Sequence, residues 1–159
     1  MGKVRVYLLL VGLLLAAVLV PVHVQGNIDL ENGAILFLAN SVANLGELKT
    51  DPFDPTLDYF EAQNVVSFGV VVLYNEWQLL LSGEDFVAGS GRIPLSRLEW
   101  KMQNGNYRRM PNPGTNQELR RFSGVPQLWG DKLSFRLVLK GDESPGHYSG
   151  TLTLTLVNL

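Results

Sequence analysis

The side chains with the chemistry to do work are few and scattered. Glu84 and Asp85 stand together in Ser82-Gly83-Glu84-Asp85, and a carboxylate pair is what acid–base attack on a glycan requires. Adjacent acids beside a glycine also make a solvated turn, and that is the reading adopted here. His147, between Gly146 and Tyr148, is the only histidine after residue 26. Neither a Gly-x-Ser-x-Gly elbow nor a metal-binding histidine pair accompanies it. Asp51, Asp54, Asp58 and Glu61 form the densest acidic group, in a stretch broken by Pro52 and Pro55. Calcium takes carboxylate and carbonyl oxygens from a bending loop, but this spacing lacks the glycine-containing ligand loop of short calcium motifs. A solvated acidic loop is the main reading, and calcium near Asp51, Asp54 and Asp58 is the other. The chain contains no cysteine, which removes thiol nucleophiles, thiolate metal sites and disulfides. Taken together, these residues predict a protein that is not an enzyme and has no metal or cofactor.

Three tryptophans remain to be weighed as binding or core residues. Trp129 lies in Pro126-Gln127-Leu128-Trp129-Gly130-Asp131, which reads as a loop. A loop indole either offers its face to a sugar or partner chain or folds over the open end of a core. Trp77 and Trp100 fall instead on the apolar side of alternating segments, where core packing is expected. Arg108-Arg109 and Arg120-Arg121 are isolated basic pairs, too sparse for a nucleic-acid surface.

The elements that must carry these residues are strands. Residues 147–157 alternate strictly, with Leu152, Leu154 and Leu156 on one face and Thr151, Thr153 and Thr155 on the other, the pattern of a strand with one side in a core. Residues 65–74 are apolar on both faces and predict a central strand. Trp77, Leu79 and Leu81 continue the pattern after Asn75-Glu76, which reads as a tight hairpin connection. Leu98, Trp100 and Met102 alternate with charged neighbours, and Asn104-Gly105 after them suits a type I′ turn. Phe135, Leu137 and Leu139 mark another strand before a turn at residues 141–146. Shorter strands are expected at 35–39, around Phe86-Val87, at 107–110 and at 118–122, with loops at 110–115 and 124–131. No helical period is sustained after residue 26, although residues 47–63 have room for a short turn of helix. The sum predicts an all-β, immunoglobulin-like antiparallel β-sandwich of seven to nine strands. Tyr148, entering the last strand, is expected to pin a corner, a structural role shared with Trp100, Leu152, Leu154 and Leu156.

The N-terminal pattern supplies an address. Lys3 and Arg5, an apolar run over residues 6–20, and a short segment ending at Gly26 follow the layout of a secretory signal peptide. The expectation is a leader over residues 1–26 and a single domain over 27–159, with an uncleaved anchor as the other reading. Removing the leader takes Lys3 and Arg5 from the 13 basic residues and none of the 15 acidic ones, so the net charge falls from -2 to about -4. An acidic domain without basic runs is a poor fit to nucleic acid, or to membrane beyond the signal segment.

At Trp77-Gln78-Leu79 and at the tail, the chain resembles the WxL-domain proteins of Gram-positive bacteria, exported domains held noncovalently at the cell wall. Gly146, Tyr148, Leu152, Thr153, Thr155 and Leu156 match that family's second motif, with Leu154 where the family has tryptophan. The resemblance implies a secreted, noncatalytic surface module whose partners are peptidoglycan, another wall glycan or other envelope proteins. It makes Trp77 and Leu79 binding candidates beside Trp129. The alternative expectation is a structural subunit of a pilus-like or surface-layer fibre that self-assembles by strand pairing, with residues 27–30 as a donor piece.

Overall fold

The computed structural model describes residues 3–14, 33–40, 42–45 and 48–159; the cleavage position at Gly26 and the donor piece at 27–30 lie outside them. In chain order the strands are β1 (Lys3–Leu14), β2 (Ala34–Leu38), β3 (Val42–Asn44), β4 (Leu48–Thr50), β5 (Asp58–Val72), β6 (Trp77–Gly83) and β7 (Phe86–Ala88). They continue as β8 (Gly91–Ile93), β9 (Leu98–Met102), β10 (Arg108–Arg109), β11 (Gln117–Phe122), β12 (Gln127–Val138) and β13 (Gly146–Asn158), with one 3₁₀ turn at Leu95–Arg97. Two sheets result. The seven-stranded sheet runs β11-β6-β13-β1-β3, with β7 on β13 and β8 on β7, and the six-stranded sheet runs β10-β9-β12-β5-β2, with β4 on β5. Every pair is antiparallel except β1 with β3.

The fold is thus an all-β antiparallel sandwich, as the alternation predicts. The thirteen strand segments among the described residues exceed the expected seven to nine because five of them are only two or three residues long. Segments that short carry no readable period. Leu152, Leu154 and Leu156 of β13 are fully buried, and Leu156 and Leu154 lie opposite Leu79 and Leu81 of β6. The facing layer is supplied by Val66, Phe68, Val70 and Val72 of β5 and by Leu133, Phe135 and Leu137 of β12. Apolar residues two apart on each sheet close on one another, which is the main stabilising contribution of a sandwich.

Several local expectations are corrected. Residues 48–63 hold no helix; β4 and the first part of β5 occupy that stretch, with Tyr59, Phe60 and Ala62 buried. A bulge at Asn64 hid the continuity. Asn64 has φ of 52° and its N–H donates to Ser134 Oγ at 2.9 Å, while the register shifts between Leu133 and Phe135 on β12. Two surplus residues on β5 are accommodated there, so the inward parity survives and the strand continues. Asn75-Glu76 is not a hairpin within one ladder, because β5 and β6 lie in different sheets and the turn carries the chain across the sandwich. Asn75 supplies the positive φ that this corner needs. The connection after β9 is a hairpin, but residues 103–107 form it and Asn104 does not take a positive φ. Residues 127–131 are not a loop either: β12 begins at Gln127, and Trp129 pairs with Val70. The large apolar Leu128 and Trp129 fall on opposite faces of one strand, which concealed the alternation.

Candidate functional site

Tyr148 is buried at the start of β13, and its hydroxyl donates to the Ser144 carbonyl at 2.9 Å. Arg97 secures the same crossover, with Nη1 at 3.0 Å from Asp142 and bonded to Glu143 as well. Trp77 and Leu79 are completely buried, and the Trp77 indole donates to the Tyr74 carbonyl at 3.0 Å. Trp100 is equally enclosed, and its indole nitrogen has no partner among the described residues. An unsatisfied buried donor costs about 1–3 kcal/mol. These tryptophans present no surface to a ligand.

Trp129 is half-buried at one end of the core. Its ring meets Phe68 edge-on at 5.3 Å and Phe122 at 5.9 Å, and the Arg120 guanidinium lies 4.8 Å over it. The indole is thus engaged by two aromatic rings and by a cation–π contact with Arg120, which also lies 5.5 Å over Phe122. Glu84 and Asp85 do not act as a pair. Asp85 accepts from Arg92 Nε at 2.6 Å and from the Leu95 N–H at 2.7 Å, whereas Glu84 borders a separate polar cleft of about 320 Å³ with Asn116 and Thr153. His147 is exposed.

The acidic group also divides. Asp51 accepts from the Phe53 and Asp54 N–H groups at 2.8 and 3.3 Å. Asp54 accepts from the Thr56 N–H and hydroxyl at 3.0 and 2.6 Å, which holds its carboxyl below the usual range. Asp58 accepts from the Thr50 hydroxyl at 2.7 Å. Each acid caps a local turn or ladder, Asp51 also lies 3.8 Å from Arg136 Nη1, and among the described residues no three potential ligands converge on a metal position.

What the structure does assemble is the outer face of the six-stranded sheet, and it has two halves. In the first, Arg136 of β12 stands opposite Glu61 of β5 and Glu99 of β9. Its Nη2 and Nε lie 2.6 and 2.9 Å from Glu99 Oε2. Its guanidinium sits 5.0 Å over the Tyr59 ring and 4.7 Å over the Tyr107 ring. The Tyr107 hydroxyl donates to Glu61 Oε1 at 2.7 Å, and Lys49 Nζ lies 3.0 Å from Glu61 Oε2. Burial pushes the Tyr107 hydroxyl well above its ordinary value, reinforced by the carboxylate that accepts its proton. Burial also acts to raise Glu61, but hydrogen bonds from Tyr107, Lys49 and Gln63 outweigh it and leave the carboxyl below its ordinary value. For Arg136, burial disfavours the charge and pairing with Glu99 restores it, with a net upward shift. This half is a closed lattice of ion pairs and stacked rings.

The second half is apolar. Ile35, Val71 and Leu128 form one cross-strand row over β2, β5 and β12, and Phe37, Gly69 and Gly130 form the next. Leu128 is 77% exposed, Leu73 50% and Phe37 45%. The Phe37 ring lies directly on Gly69, where a Cβ would come within 2.1 Å of it. Nothing among the described residues covers this platform. The sequence signal for it was the two-faced apolarity of residues 65–74, which reads equally well as a strand covered on both sides. Only one of the two faces is covered.

No family model, curated protein or solved structure matches the chain.

Proposed function

We propose that the protein is a secreted, noncatalytic module of the cell envelope that associates noncovalently with other surface proteins or with the wall. It docks through the apolar half of the six-stranded sheet. The exposed Leu128 and Phe37, in adjacent rows with Ile35 and Val71, carry the proposal. Contiguous apolar surface costs solubility, and on an exported domain it is the chemistry of a protein-docking face. The leader pattern supports the address, and the likeness to WxL-domain proteins supports noncovalent retention at a Gram-positive type of surface.

Fractionation of producing cells tests the reading. The unchanged protein is expected in the envelope fraction, and Leu128→Asp with Phe37→Ser is expected to shift it to the medium without altering its melting temperature. Equal retention of both forms would remove this face as the docking site. Trp129→Ala, assayed in the same way, is expected to leave retention unchanged, because its ring is already engaged by Phe68, Phe122 and Arg120.

A further inference from the structure

β1 lies inside the seven-stranded sheet, not at its margin. It pairs antiparallel with β13 through twelve positions, from Lys3 opposite Val157 to Leu14 opposite Gly146, and parallel with β3 through three. In that arrangement Tyr148, Gly150, Leu152, Leu154 and Leu156 of β13 are buried. The same Lys3–Leu14 stretch carries the basic start and first half of the apolar run that the sequence pattern assigns to an export leader. Removal of residues 1–26 therefore withdraws a strand from the interior of a sheet. About half of the twelve facing peptide groups of β13 lose their ladder partners. The apolar side of β13 loses its lateral cover as well. A gap of this kind is closed by addition of a strand.

The geometry points to this gap as a strand-acceptor slot, filled in the processed protein by the N-terminal segment of a second copy of this chain. In the full chain Val6 and Leu8 stand opposite Leu154 and Leu152. The segment that follows the expected cleavage, Asn27-Ile28-Asp29-Leu30-Glu31-Asn32, repeats that spacing with Ile28 and Leu30. Its intervening Asp29 and Glu31 then match the polar side of the sheet, where Thr151, Thr153 and Thr155 lie. A strand with one apolar and one acidic side suits a slot bordered by leucines inside and threonines outside. Donor and slot are different surfaces of the chain, so a contact between copies is head-to-tail, the kind that extends in series. The leader would hold the slot filled until export. Copies would then join in series.

The inference rests on export and leader removal, and the test reads that premise separately. Processed protein is purified from the medium of an exporting host, its N-terminus is read by intact mass, and its size is read by sedimentation and electron microscopy. A ladder of oligomers or fibres is expected from a chain beginning at Asn27. Ile28→Asp with Leu30→Asp, in a segment outside the described sandwich, is expected to leave folded monomers. So is a chain in which the Lys3–Leu14 sequence is repeated after Leu159 through a short turn. That graft is feasible because Lys3 lies beside Val157 at the end of β13, and it is expected to raise the melting temperature by filling the slot in cis. Leu128→Asp, which disables the docking face, is expected to leave the ladder intact. A processed protein that is monomeric overturns the inference, as do assemblies that survive either the double substitution or the graft. An intact mass showing residues 1–26 retained overturns it through its premise.

Discussion

The same strands of the six-stranded sheet build two outer surfaces of opposite character. Toward one end, β5 and β12 turn Tyr59, Glu61 and Arg136 outward, and every charge is answered by a neighbour or an aromatic face. Toward the other end they turn out Val71 and Leu128 beside Gly69 and Gly130, and β2 adds Ile35 and Phe37. The first half satisfies itself, so changes there are felt in stability. The second leaves apolar area unsatisfied, so changes there are felt in association. The bulge at Asn64 separates the two regions on β5.

The largest effect is expected from Arg136→Ala. It leaves Glu99, whose side chain is only 13% exposed, with Arg109 Nε at 3.7 Å as its remaining cation, and unstacks Tyr59 and Tyr107. A loss of about 2–3 kcal/mol in urea unfolding is expected, since a partly buried carboxylate loses both of its hydrogen bonds from the guanidinium. Arg136→Lys is expected to recover less than half of it, because an ammonium neither stacks nor forks.

Tyr107→Phe sharpens the comparison through pH. Glu61 titrates lower in the folded protein than in the unfolded one. Its contribution is therefore present above the unfolded value of about 4.3 and is lost as pH falls through the folded one. Tyr107 is shifted the other way, so its contribution is present below about pH 10 and is lost as pH rises toward the folded value. Removing the hydroxyl takes away one hydrogen bond that lowers Glu61 and abolishes the phenol titration. The plot of urea midpoint against pH is expected to flatten on both its acid and alkaline sides. An unchanged alkaline side would show that another group governs it.

Gly69→Ala bears on the apolar half. The new methyl displaces the Phe37 ring, at a cost of about 1 kcal/mol because the ring can rotate toward solvent. Envelope retention is expected to fall more noticeably than the melting temperature. The smallest stability changes, within about 0.5 kcal/mol, are expected for Lys49→Ala, whose side chain is 48% exposed, and for Leu128→Asp. Only the second of these is expected to change retention.

Much of the scaffold was legible before any coordinates. Leucine–threonine alternation in residues 151–156 and the apolar series Val66, Phe68, Val70 and Val72 identify inward faces, because a strand turns successive side chains to opposite sides. Trp77, Trp100 and Tyr148 were recognisable as interior residues for the same reason. The candidate site was not legible. Lys49, Tyr59, Glu61, Glu99, Tyr107 and Arg136 are spread over five segments of sequence, and none forms a motif with its neighbours in the chain. Their one local signal was the acidic group, in which Glu61 and Asp51 do reach Arg136 or its neighbours, while Asp54 and Asp58 bond Thr56 and Thr50 instead.

The sequence by itself determined that this is a β-sandwich without cysteine chemistry and that its last strand closes a core, since period and composition are local properties. Tertiary structure alone decided which apolar face would be covered and which left open, that Asn75 turns the chain across the sandwich, and that Arg136 would find Glu99. It also decided that Lys3–Leu14 would fill the place beside β13. Each of these depends on register between segments far apart in the chain, and register is set where strands meet.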